Sequence, residues 1–180
     1  MVMRDYAEKP ERMTFAANPE CSAGPTAEQF ENYVGMQVQL CQGSRLWPRD
    51  VQFTNGAAVY EFAKRVGMID DTREVFYAIY GDTKHRPLGY RLISAGAITE
   101  TIVSPQVIFG PAMVLAASEI FFVHNHPSGA VAPSPADKAL TQRLVRVANL
   151  MGLRVMDNVV VGTEGFLSFV DEGIMPPSAI

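Results

Sequence analysis

The stretch IFFVHNHPSGAVAPSPAD, residues 120–137, sets the fold class. It opens on a short apolar run, Ile120 to Val123, rich in β-branched and aromatic side chains and too brief for a helix, which reads as a buried strand. It closes on Ser134-Pro135, with Asp137 completing S-x-x-D, the pattern of a capped helix start. Leu140, Leu144, Val147 and Ala148 then recur at helical spacing, and Gly152 stands where a helix stops. The stretch is therefore a strand, a polar loop and a helix. Working outward, EVFYAIY from Glu74 reads as a strand, GDTKHRPLG as a turn, and Tyr90, Leu92 and Ile93 as part of the returning strand. Pro105 suits a helix start, and QVIFGPAMVLAAS is expected to be helical, with Pro111 kinking or splitting it. Two more strands are expected around Leu153 to Val161 and Phe166 to Val170. Strands interleaved with helices predict an α/β fold, a mixed β-sheet sandwiched by helices.

Thr54-Asn55 can cap a further helix, whose apolar face is Val59, Phe62, Ala63 and Val66 and whose stop is Gly67. Residues 1–50 read as an N-terminal arm, partly flexible, with a short helix from Thr26 to about Tyr33, a strand over Met36, Val38 and Leu40, and a loop at Trp47-Pro48. The domain proper is expected over residues 51–173, followed by a Pro-rich tail over 174–180.

Of the 180 residues, 48% are apolar and 19% charged, enough apolar material for a core and too much for intrinsic disorder. A net charge of -4 supplies no basic field of the kind that drives nucleic-acid binding. Arg143, Arg146 and Arg154 form a small cluster, read as a solvated helix face, and nucleic acid as a partner is not supported by charge. Cys21 and Cys41 build neither a disulfide framework nor a Cys-rich zinc site, so a cytoplasmic, reducing compartment is expected. No secretory signal precedes the domain and no apolar run approaches a membrane span, so no membrane role is expected. The oligomeric state is not readable, although the Met36–Leu40 strand could add to a neighbour's sheet edge.

Two of the three histidines, His124 and His126, lie two residues apart at a strand end. Residues at that spacing project to the same face, so both imidazoles reach one point. With Asp137 they give H-x-H-x10-D, a ligand set for Zn²⁺ of two nitrogens and one carboxylate, leaving a fourth position for water. Ser134 and Asp137 equally read as a capping box, and the two readings are compatible, because a carboxylate held by helix N-terminal amides stays ionised. His85, in its polar turn, is expected to face solvent.

H-x-H-P-x6-S-x2-D resembles the JAMM (MPN/JAB) metalloprotease motif, and HNHPSG with the later PS..D is similar to the bacterial RadC-like branch. The likeness runs from Val51 to Gly173, through REVF, GDTKHR, LISAGA, VSPQVIF, MGLRVMDNVVVG and GFLSFVDEG. It does not reach the first fifty residues, where that family usually carries a small helix-hairpin-helix region. The resemblance implies a JAMM/MPN-like, cytidine-deaminase-like architecture. It implies that His124, His126 and Asp137 bind one Zn²⁺ per chain, that Glu74 is the general base and that Ser134 supports the oxyanion. Spacing alone does not select Glu74 over Glu100 or Glu119. The implied reaction is hydrolysis of a peptide or isopeptide bond by a zinc-activated water, with a peptide or a ubiquitin-like protein conjugate as substrate. Three departures stand out. Asp157-Asn158 replaces the usual Asp-His, Ala130-Val131 the common Asp-Pro, and Gln106 a usual Arg.

A zinc nucleoside deaminase would need H-x-E with P-C-x-x-C, which this chain lacks. In HNH nucleases the three residues are dispersed over another fold, so the letters at 124–126 are coincidence. The alternative to a peptidase is a DNA-repair-associated factor, a label RadC-like proteins carry by tradition, or a scaffold with no peptidase activity of its own.

Overall fold

The computed structural model describes residues 39–40, 51–65, 67–68, 73–96, 103–163 and 165–178. The expected arm, the Thr26 helix, Met36 and Val38, the Trp47-Pro48 loop, Val66 and Glu100 lie outside them. In chain order the elements are β1 (Gln39–Leu40), α1 (Gly56–Arg65), β2 (Val75–Gly81), β3 (Pro87–Ala95), α2 (Pro105–Val114), β4 (Glu119–Asn125), α3 (Pro135–Leu150), β5 (Arg154–Gly162) and β6 (Gly165–Ser168). Six strands form one sheet in the order β1-β3-β2-β4-β5-β6. All neighbours pair antiparallel except β4 with β5, which are parallel and joined by α3 as crossover. The fold is thus α/β with a mixed open sheet, as expected. Leu40 and Gln39 pair with Gly89 and Tyr90, so these two residues form an edge strand of the chain's own sheet.

The alternation of strand side chains builds two cores. Phe76, Ala78, Tyr80, Ile120 and Phe122 face Ile108, Ala112, Leu140, Leu144 and Ala148 of α2 and α3. Ile79, Phe121, Val123, Val159 and Val161 pack on the other side against Val59, Phe62 and Ala63 of α1. Helices therefore cover both faces, and β4, between β2 and β5, is buried along its whole length.

Local signals explain where the helices begin and end. Asn55 Oδ1 accepts from the Ala58 amide at 3.0 Å, and Gly67, at a φ of 74°, ends α1. Pro111 does not split α2, which is continuous from Pro105 to Val114. A proline at 111 leaves the Val107 carbonyl without its helical donor. Arg91 Nη1, from β3, supplies one at 3.2 Å, so the break expected from sequence is repaired by a residue from another element. The helix stops at Val114 instead of continuing to Ser118, and β6 ends at Ser168, two residues short of Val170. Past β6 the Ile174 and Met175 amides both donate to the Phe169 carbonyl, and Met175 packs on the α2/α3 core. Among the described residues no helix is long and apolar enough to cross a membrane.

Candidate metal centre

Strand β4 delivers both histidines to one place. His124 follows Phe76 and Phe122 on the α3 side of the sheet and is 1% exposed. His126 lies just beyond the strand end, where its N–H donates to the Val161 carbonyl at 3.1 Å. Its ring Nδ1 is 2.8 Å from the Ala130 carbonyl. Because a carbonyl can only accept, Nδ1 carries the hydrogen, and in the neutral ring Nε2 keeps its lone pair.

Asp137 enters from the first turn of α3. Its amide donates to Ser134 Oγ at 3.1 Å, while its Oδ2 accepts from the Ser134 amide and from Ser134 Oγ, both at 2.7 Å, a complete capping box. This fixes the carboxylate facing both imidazoles, with Oδ1 3.6 Å from His124 Nε2 and Oδ2 3.4 Å from His126 Nε2. Burial pushes the Asp137 carboxyl up, but the pull of His124 and the hydrogen bonds from Ser134 outweigh it and hold the group below the usual carboxylate range. At 3.6 Å the His124 contact is too long for a hydrogen bond, so Ser134 carries the geometric part of that stabilisation.

The three residues could hold a metal ion, their candidate ligand atoms all lying within 4.8 Å of one another. His124 Nε2 is buried with no hydrogen-bond partner. Such an atom is costly to leave alone and is suited to a cation. The nitrogen-to-oxygen separations, 3.6 Å to Oδ1 and 3.4 Å to Oδ2, run to different oxygens of the carboxylate, and each lies in the range of about 3.3–3.6 Å that separates two ligands of one zinc ion at about 2.0–2.2 Å.

Glu74 directly precedes β2. The register pairs Phe76 with His124, and continuing it brings the half-buried Glu74 opposite His126. Asn125 fixes the backbone on both sides of Glu74: its Oδ1 accepts from the Val75 amide at 2.6 Å and its Nδ2 donates to the Arg73 carbonyl at 2.9 Å. Glu119, left open by spacing, lies at the other end of β4. It is fully buried and paired with His85 Nδ1 at 2.6 Å and with Arg154. His85 is therefore engaged with a buried carboxylate rather than simply facing solvent. Arg154 belongs to that pair at the start of β5, and Arg143 Nη1 reaches the Val103 carbonyl at 3.5 Å, so the three arginines do not form one solvated face.

Three residues near the centre were not singled out as contributors by sequence reasoning. Asn125 could be read only as the middle of H-x-H. Asn158 of β5, which the sequence marks only as a departure, approaches His124, and Thr141 of α3 holds the Asn158 amide. The signal for Asn158 lies in the register: Ile120 pairs with Val155 but Phe121 with Asp157, so β5 carries one extra residue. That bulge reverses the phase of the strand and turns Asn158 toward the α3 side. Asp157 points the other way, where burial pushes its carboxyl up despite hydrogen bonds from Ser168, Val170 and Asn158.

The chain matches the family model described as RadC-like JAB domain over residues 53–174. A UPF0758 protein of Syntrophotalea carbinolica is 42% identical over 125 residues, covering 69% of this chain and 54% of the relative. UPF0758 protein YkfG of Escherichia coli is 38% identical over 125 residues, covering 69% of this chain and 78% of the relative. A UPF0758 protein of Finegoldia magna is 42% identical over 107 residues, 59% of this chain and 47% of the relative. The match spans about half the length of most of these curated relatives.

Proposed function

The chain belongs to the RadC-like JAB domain family, and from that membership we propose that it is a zinc-dependent metallopeptidase or isopeptidase of JAMM type, acting on an amide bond in a peptide or a ubiquitin-like conjugate. His124, His126 and Asp137 hold one zinc ion per chain. When bound there, zinc supplies a Lewis acid and a water whose pKa is lowered toward ~7. The observation that carries the reading is the buried, unpartnered His124 Nε2 turned toward the same carboxylate as His126 Nε2.

The chain's own groups then divide the work. The Glu74 carboxylate takes the proton of the attacking water and returns it to the leaving nitrogen of the amide. Ser134 Oγ turns its hydrogen from Asp137 Oδ2 to the developing oxyanion, while the Ser134 amide, 2.7 Å from Oδ2, keeps the carboxylate in place. The cysteine usage favours a cytoplasmic setting.

Metal analysis of the purified protein beside His126→Ala tests the centre. One zinc per chain in the parent and none in the variant is expected, and no zinc in either refutes the reading. Zinc-dependent cleavage of an amide substrate, lost in Glu74→Gln with zinc retained, tests the chemistry. Retained zinc with no cleavage and a salt-dependent DNA mobility shift would replace the peptidase by a repair-associated factor.

A further inference from the structure

We propose that Asn158, anchored by Thr141, is the positioning residue that sets the tautomer of His124 and so makes Nε2 the lone pair facing the cation site. For its consequence this rests on the metal reading above. The tautomer itself is a property of the metal-free protein.

Thr141 Oγ lies 2.7 Å from the Asp137 carbonyl and 2.7 Å from Asn158 Nδ2. A hydroxyl has one hydrogen. Donated to the Asp137 carbonyl, which can only accept, it leaves Thr141 Oγ to accept from the Asn158 amide. The Asn158 carbonyl oxygen is then the atom 3.2 Å from His124 Nδ1. Being an acceptor only, it requires a hydrogen on Nδ1, and the neutral ring leaves Nε2 bare.

The opposite orientation of the amide fails on two counts. It takes the Thr141 hydrogen away from the Asp137 carbonyl. It also places an N–H on His124 Nε2, which is buried and has no hydrogen-bond partner, since Asp137 Oδ1 is 3.6 Å away. A buried donor without an acceptor is the costlier arrangement. Asn158 and Thr141 are each 1% exposed, so water does not compete for these bonds. The chain of contacts also closes on itself: Asp137 offers its carboxylate to the site and its carbonyl to Thr141, and thus anchors the group that orients its fellow ligand. His126 reaches the same tautomer by a simpler route, through Ala130.

The test reads the tautomer first. Long-range 1H–15N correlation spectra of the metal-free protein, with His124 assigned by the signal lost in His124→Gln, are expected to show hydrogen on Nδ1. Asn158→Leu is expected to shift His124 toward the Nε2–H form and to weaken zinc binding about 10- to 100-fold by chelator competition. Asn158→Asp, which keeps an acceptor for Nδ1, is expected to retain the parent tautomer and zinc affinity within a few-fold of the parent. Should Asn158→Leu prevent folding, the near-isosteric Thr141→Val releases the amide and is expected to give a mixture of tautomers. An Nε2–H form in the parent, or an unchanged His124 spectrum in both Asn158→Leu and Thr141→Val, overturns the proposal. If the parent binds no zinc, the metal reading fails while the spectra still decide the tautomer.

Discussion

Ser134 has one hydroxyl hydrogen and two uses for it. In the structure the hydrogen goes to Asp137 Oδ2, and the oxygen accepts from the Asp137 amide. Ser134→Ala removes both contacts but leaves the backbone amide on the carboxylate, so it is expected to cost about 1 kcal/mol, within the usual 0.5–2 for a lost N-cap. Urea unfolding of the metal-free protein measures this, and an unchanged midpoint would show that the box adds nothing beyond the amide. The acid limb follows from Asp137. Its carboxyl is held below the usual range in the fold, so the stabilisation is present above the unfolded value of about 3.9 and is lost as pH falls through the lower folded value. The midpoint of the metal-free protein is therefore expected to hold down to about pH 4 and to fall below it. Asp137→Asn should fall less steeply over the same interval, and equal slopes would count against the assignment. Local spacing made Ser134 and Asp137 legible, because a capping box is written within four residues. His85 was misread for the opposite reason: its partner Glu119 is 34 residues away, and nothing near His85 in the chain announces it.

Elements were legible wherever their boundaries are local. Asn55, Gly67, Ser134 and Gly152 mark ends that follow from capping and positive φ. Continuity and phase were not legible. The unbroken course of α2 across Pro111 depends on Arg91 from β3, and the direction of Asn158 depends on one inserted residue in β5. A third such dependence joins the metal loop to β5. Gly129, at a φ of 79°, turns the chain back after His126, and its carbonyl lies directly over Gly162. A Cβ at 162 would overlap that carbonyl oxygen, which is backbone and cannot swing aside, and would stand 2.8 Å from Val131 Cγ1. Gly162→Ala is expected to lift the loop that carries the Ala130 carbonyl off the strand and release His126 Nδ1. Zinc affinity should fall about tenfold or more while α1 and its core stay folded. Calorimetric titration with zinc, with circular dichroism of the same sample, reads both, and parent-like affinity would show that the loop relaxes without moving His126.

At the scale of the whole molecule the two ends of β4 hold different polar systems. His124 and His126 stand at one end, and Glu119, fully buried between His85 and Arg154, stands at the other. Six steps along the strand lead from Glu119 to Asn125, about 20 Å at ~3.3 Å per residue. Between them Phe121 and Val123 pack in one core and Ile120 and Phe122 in the other. Coupling would have to pass through a packed slab clamped by helices on both faces. Sites this far apart without shared partners act additively within about 0.3–0.5 kcal/mol. Arg154→Met takes a half-exposed guanidinium from the buried Glu119 carboxylate and leaves it His85 as a partner, and is expected to destabilise the metal-free fold by about 1–3 kcal/mol, the cost of a buried polar group that loses a hydrogen-bond partner. Zinc at 100 times its dissociation constant should nonetheless add the same increment to variant and parent, about 2.7 kcal/mol, because it binds only the folded chain. Equal shifts in urea midpoint on adding zinc, at equal m values, are the expected result. An increment changed by more than ~0.5 kcal/mol would mean that the far end of β4 sets the geometry of the metal centre, and that the sheet transmits what its two cores are expected to hold still.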